Sequence, residues 1–146
     1  MKEMFSGISE HRKAAKHRFD DALALLNASR WRGAMYMAGY SIECLLKTKL
    51  MTIFDCHHLV DLEEELQRRK KLAAESTIFT HRLELLLRLT DSLERLRQNT
   101  EMWRLFNFVN LWLPAWRYTA DLSRRRDAEY FLDAVGKLSK WIEANI

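Results

Sequence analysis

Residues 34–46 read AMYMAGYSIECLL, a run that is apolar around almost the whole circumference of a helix. A helix without a polar face is buried on all sides, either at the centre of a bundle or in a subunit interface. The small residues in and beside this run allow close approach of neighbouring helices: Gly33, Ala34, Ala38, Gly39 and Ser41. The run therefore predicts a central helix, which we expect to extend from about Trp31 to Phe54.

The composition of the whole chain is typical of a single all-α domain. Its 146 residues are 48% hydrophobic, enough to build a core, yet they include only 4 Gly and 1 Pro. Sheets and hairpins need frequent turn residues, so this scarcity predicts long helices joined by few loops. We expect one domain over residues 1–146, an up-and-down bundle of four to five long helices plus a short charged helix.

Apolar periodicity places the other helices of this bundle. Five are expected: one from Ser9 or Glu10 to about Ala28, a short charged one within residues 55–80, and three over His81–Arg97, Glu101–Leu113 and Ser123–Asn145. Ser9 is the predicted N-cap of the first helix. Pro114 is expected to end the helix before it, because proline disfavours helical conformation in the preceding residue.

Charge and cysteine content suggest where the protein works. The chain has 24 basic and 20 acidic residues, a net charge of +4, which suits contact with a polyanion but is also common on ordinary surfaces. Cys44 and Cys56 form no disulfide framework, and neither a signal peptide nor a membrane-spanning run is recognisable. We therefore expect a cytoplasmic protein without a membrane partner.

Few residues carry a recognisable chemistry. Arg32, Tyr36, Glu43 and Lys47 share one stripe of the central helix, where Glu43 and Lys47 could simply pair with each other across one turn. The chain has no glycine-rich phosphate loop and no Cys-x-x-Cys pair, and His57-His58 lacks the spacing of metal ligands. No catalytic residue, metal or cofactor is predicted from these patterns.

Two strings, GYSIECLLK at residues 39–47 and WLPAWRY at residues 112–118, resemble the HEPN family. The helix that opens with His and Leu in this family is best matched by THRLELL at residues 80–86, and less well by His58-Leu59. The similarity extends over nearly the entire chain. It implies a helical bundle that usually dimerises through its central helices, and RNA-directed roles, often in toxin–antitoxin pairs with a minimal nucleotidyltransferase.

The resemblance also implies a test for catalysis. Active members of the family are metal-independent RNases that use an Arg followed, after four to six residues, by a His near the start of the last helix. Arg117 and residues 124–126, all arginines, lie in this region, but no His follows His81. Arg12 and His17 match the spacing on the first helix, where five residues turn by roughly 140°, so the side chains diverge. RNase activity by the family mechanism is therefore not expected.

A binding site is expected where Glu43 and Lys47 meet Arg117 and Tyr118. A Glu in an apolar helix is costly to bury without a partner, and the Arg117 guanidinium is a natural bidentate partner for its carboxylate. These residues would either form a binding pocket or only hold the linker after Pro114 on the bundle.

Three functions remain open on the sequence. The leading one is a non-catalytic HEPN-like homodimer that binds RNA, a nucleotide or a protein partner, within a toxin–antitoxin or defence system, with Trp116 and His81 as further binding residues. The second is a metal-independent RNase toxin in which His81 replaces the missing base. The third is a structural partner of a minimal nucleotidyltransferase. Dimerisation is expected because the apolar surface of residues 34–46 is too broad for one bundle to cover.

Overall fold

The structure is a computed structural model that describes residues 7–115 and 124–146. Regular structure in these residues is helical throughout, so the predicted all-α class is confirmed. Four helices are long and three are short: α1 Ile8–Asn27, α2 Trp31–Ile53, α3 Leu59–Arg68, α4 Leu83–Leu89, α5 Leu93–Gln98, α6 Thr100–Ala115 and α7 Arg125–Asn145. None of these helices is long and apolar enough to cross a lipid bilayer.

Helix α2 lies at the centre of the fold, as residues 34–46 predict. It contacts α1, α3, α4, α6 and α7. Ala34, Ala38, Ile42 and Leu46, which follow one another at intervals of four residues, are fully buried because other helices surround α2. The chain's own helices therefore cover most of the apolar surface that predicted a dimer, while Tyr36, Met37 and Tyr40 are half-buried, and the homodimer stays a prediction.

Helix α1 begins one residue earlier than expected, and Ser9 is not its N-cap. Gly7 occupies the N-cap position without a side-chain hydrogen bond. The Ile8 backbone N–H instead donates to the His57 carbonyl oxygen at 2.8 Å. A contact between Ile8 and His57, which are far apart in the sequence, thus satisfies one of the free N–H groups at this helix end, and a local capping pattern cannot reveal it.

The helix predicted over His81–Arg97 is divided into α4 and α5. Thr90 ends the first part, and its hydroxyl donates to the Leu87 carbonyl oxygen at 2.6 Å. Asp91 follows with a φ of 58°, in the left-handed region that interrupts a right-handed helix. Thr, Asp and Ser side chains compete for backbone hydrogen bonds in this way, so residues 90–92 form a turn.

The ends of α6 and α7 differ slightly from the prediction. Helix α6 includes Pro114 and ends at Ala115, because proline at the end of a helix removes only one hydrogen bond of the last turn. Helix α7 begins at Arg125, and the Arg124 backbone N–H donates to the Asp127 carboxylate at 3.1 Å. An acidic side chain in the first turn also stabilises the positive end of the helix dipole.

Candidate functional site

The side chain of Glu43 is buried in α2, with 3% of the residue exposed, and it has two cationic or hydrogen-bonding partners. Its Oε2 atom lies 3.0 Å from Lys47 Nζ, one turn further along α2. Its Oε1 atom lies 2.5 Å from His81 Nδ1, which comes from the segment just before α4. Both carboxylate oxygens are therefore engaged, as a buried charge requires.

His81 connects this buried carboxylate to the surface, because half of its side chain is exposed to solvent. An ionised carboxylate can only accept a hydrogen bond, so His81 Nδ1 carries the proton in the contact with Glu43. The other ring nitrogen, Nε2, takes no part in this contact. This contact holds the ring in one orientation and leaves Nε2 unengaged by Glu43.

Two tyrosines of α2 extend the aromatic surface beside His81. The rings of Tyr36 and Tyr40 are stacked with their centroids 6.4 Å apart, and the Tyr40 ring lies 6.3 Å from the imidazole of His81. Both tyrosines are half-buried. Burial and, after it, the negative charge of Glu43 raise the pKa of the Tyr40 hydroxyl, so this group remains a neutral donor.

A second histidine, His11 of α1, lies within electrostatic reach of the same ion pair. Its Nδ1 atom lies 3.3 Å from the Gly7 carbonyl oxygen. Burial lowers the pKa of His11, and the positive charge of Lys47 lowers it further, while the Gly7 hydrogen bond and Glu43 oppose the shift. His11 is therefore a neutral imidazole at neutral pH.

Cys44 follows Glu43 in α2 but is poorly suited to nucleophilic chemistry. The residue is 4% exposed. Burial, and then the charge of Glu43, raise the pKa of the Cys44 thiol to about 11. Since the thiolate is the reactive form, the Cys44 thiol is inert at neutral pH.

The structure brings together three of the predicted binding residues, Glu43, Lys47 and His81. The other three, Trp116, Arg117 and Tyr118, lie outside the described residues. Glu43 and Lys47 pair as their spacing allowed, and His81 is the further partner of Glu43. Sequence reasoning missed Tyr40, although it lies one turn after Tyr36 on the predicted polar stripe, and it missed His11, for which no sequence signal exists.

The arginines that open the last helix are all exposed, at residues 124–126. The Arg125 guanidinium lies over the Trp31 ring, 5.4 Å from its centroid, and Arg125 Nε lies 3.3 Å from Glu129. This basic cluster therefore adjoins the N-terminal end of α2, the helix that carries Tyr36, Tyr40 and Glu43.

Comparison with other proteins does not identify the function of this site. Within residues 7–115 and 124–146, no group of three or more His, Cys, Asp or Glu side chains is arranged to hold a metal ion. The chain matches no family model, no curated protein and no solved structure.

Proposed function

We propose that this chain is a HEPN-like domain that binds single-stranded RNA or a nucleotide on the face of α2 that carries Tyr36 and Tyr40, together with His81. One observation supports this function most directly: a half-exposed imidazole, held by a buried carboxylate, lies beside two stacked tyrosine rings. Burying an ion pair costs desolvation free energy, so packing stability alone does not account for the Glu43–Lys47 pair in an otherwise apolar helix.

The chemistry of this face suits a nucleic acid. Aromatic rings stack on bases with little sequence preference, and a His nitrogen or a Tyr hydroxyl can hydrogen-bond to a phosphate or a base edge. The net charge of +4 and the exposed arginines beside the α2 N-terminus would attract the backbone phosphates. No covalent step is needed for this function, in keeping with the missing family motif.

The binding function predicts that Tyr40→Ala and His81→Ala each weaken the binding of a fluorescently labelled single-stranded RNA. The loss should be about fivefold to a hundredfold per variant, since a base that loses its stacking partner loses about 1–3 kcal/mol. Fluorescence anisotropy at low salt measures the affinity. Tyr130→Ala is the matched control, because Tyr130 is an exposed tyrosine of α7.

The result would contradict the binding function if wild type failed to bind the RNA. Equal losses in Tyr40→Ala and Tyr130→Ala would also contradict it, because a general effect of removing a tyrosine ring would then explain both variants.

A second function, metal-independent RNA cleavage, is favoured by the contact of 2.5 Å between Glu43 Oε1 and His81 Nδ1. A carboxylate on Nδ1 stabilises the imidazolium that forms when Nε2 accepts a proton. His81 Nε2 would accept the proton of a ribose 2′-OH, whose oxygen attacks the adjacent phosphorus to form a 2′,3′-cyclic phosphate. The displaced 5′-oxygen of the next nucleotide takes up a proton from water and leaves as a hydroxyl group. Incubating the same RNA with wild type and a chelator tests this alternative. Cleavage lost in His81→Ala would establish an RNase; we expect intact RNA.

A further inference from the structure

A long groove runs between α1 and α7, apart from the His81 site. It consists of two adjoining hollows of about 420 and 500 Å³, which share Phe19, Gly136 and Lys140. The first continues along α1 to Arg12, and the second continues to Leu26. Fourteen residues of helix span roughly 21 Å, so the groove is elongated.

The groove opens on another side of α2 from the proposed RNA-binding face. Ser41 and Leu45 are the α2 residues that line it. Leu45 follows Tyr40 by five residues, which corresponds to a rotation of roughly 140° around the helix. A ligand in the groove would therefore not compete with one stacked on Tyr40.

Gly136 keeps the groove open where the two hollows join. It lies in the interior of α7, where glycine is poorly suited to a helix. Packing does not require a glycine there, since an added Cβ would meet only Phe19 Cζ, at the ordinary contact distance of 3.9 Å. A larger side chain would project into the groove. The glycine therefore leaves space there that a ligand can occupy.

Apolar side chains and cations line the groove together. Phe19, Leu23 and Leu132 provide apolar lining in the second hollow, and Leu23 is 41% exposed. Two acidic residues also line this hollow, and each is paired with a basic residue of α7: Glu129 with Arg125 and Asp133 with Lys137. Arg12 and Lys16 line the first hollow and Lys140 lines both, and none of the three forms an ion pair with the residues that the structure describes.

Positive charge dominates that end of the groove. Of its two acidic residues, Glu143 is already paired with Lys49 at 3.0 Å, which leaves Asp20 against three cations. Arg12 and Lys16 are also like charges one helical turn apart, an arrangement that an anion would relieve.

The width of the groove limits what can occupy it. Helices α1 and α7 approach within 8 Å between Cα atoms. A third helix, about 10 Å in diameter, could lie over such a seam but not within it. A narrow, flexible aliphatic chain can follow the seam and place an anionic group among the three cations.

We propose that the groove between α1 and α7 binds a single-chain amphiphile with an aliphatic tail and an anionic headgroup. The tail lies along Phe19, Leu23 and Gly136, and the headgroup, a carboxylate or a phosphate monoester, lies near Lys16 and Lys140. Ligand sites that combine an apolar lining with a few charged groups take such molecules.

Titration calorimetry below the micelle concentration tests this site with three probes that share one tail: dodecanoate, dodecyl phosphate and dodecyltrimethylammonium. Both anions should bind and the cation should not. Tighter binding of dodecyl phosphate would assign a phosphate headgroup, and equal or tighter binding of dodecanoate a carboxylate. Octanoate should bind more weakly than dodecanoate, by about two- to fourfold for each missing methylene.

Variants of the groove complete the test. Gly136→Leu should abolish binding, and Lys16→Gln and Lys140→Gln should each weaken it by about two- to fivefold, as expected for exposed charge pairs. Lys13→Gln, an exposed lysine of α1 that does not line the groove, is the matched control and should have no effect. If Gly136→Leu does not fold, which circular dichroism will show, the lysine variants decide.

Three outcomes would overturn the site: no binding of either anion to wild type, equal binding of the cationic probe, or unchanged affinity in both groove lysine variants. RNA affinity measured on the same variants separates the two sites, because groove variants should leave it unchanged.

Discussion

Replacing Glu43 with alanine is expected to lower the free energy of unfolding by about 3–5 kcal/mol, because a buried charge would lose its counter-ion. The Lys47 side chain is 8% exposed and has the Glu43 carboxylate 3.0 Å from its Nζ atom. Without this partner, the Lys47 ammonium group must either stay buried without a counter-ion or disturb the packing of α2 to reach water. Urea denaturation at neutral pH measures the loss.

Two further variants separate the ion pair from the His81 contact. Replacing both charges at once, Glu43→Leu with Lys47→Met, should recover most of the lost stability, because apolar residues of similar size fill the same space. His81→Ala should cost about 1 kcal/mol or less, since half of that side chain is in water. A loss below about 1 kcal/mol in Glu43→Ala would show that Lys47 reaches solvent easily.

Phe131→Ala should cost a similar amount, about 3–5 kcal/mol, through the cavity that it leaves in the core. Phe131 is fully buried in α7, and its ring lies 5.7 Å from the ring of Phe108 in α6. Both helices pack through this contact, so neighbouring groups can fill the space only in part. Thermal and urea denaturation, followed by circular dichroism, measure the change.

The adjacent residue provides the control for this prediction. Tyr130 is 46% exposed, accepts a hydrogen bond of 2.8 Å from Arg104, and also contacts the edge of Phe108. Tyr130→Ala should therefore cost only about 1 kcal/mol, the value of an exposed hydrogen bond and one ring contact. Similar losses in both variants would place Phe131 outside the rigid core.

Strong periodicity made the long helices predictable from the sequence. Helix α2 starts at the predicted residue and ends one residue earlier than predicted. Its long, uninterrupted apolar run made it easy to locate. The interruption at Asp91 was missed, since the leucines on both sides keep a helical spacing across residues 90–92 while local hydrogen bonds turn the backbone. Hydrophobic periodicity indicates which side chains are buried. It cannot reveal a turn after which the same apolar positions remain buried.

Part of the candidate site also followed from spacing. Glu43 and Lys47 are four residues apart, so their contact is a local property of a helix. Glu43 and His81 are 38 residues apart, and their contact depends on how α4 packs against α2. The sequence identified His81 as a candidate but could not place it beside Glu43, because tertiary packing decides that distance.

Because Cys44 is buried, chemical modification of its thiol can report local unfolding that exposes α2. Its thiol has a pKa of about 11 in the folded protein and should regain an ordinary pKa once α2 is exposed to water. A thiol reagent at neutral pH will therefore modify Cys44 only during such openings, whereas Cys56 is partly accessible in the folded state. The ratio of the two labelling rates would measure how often the central helix is exposed without any denaturant.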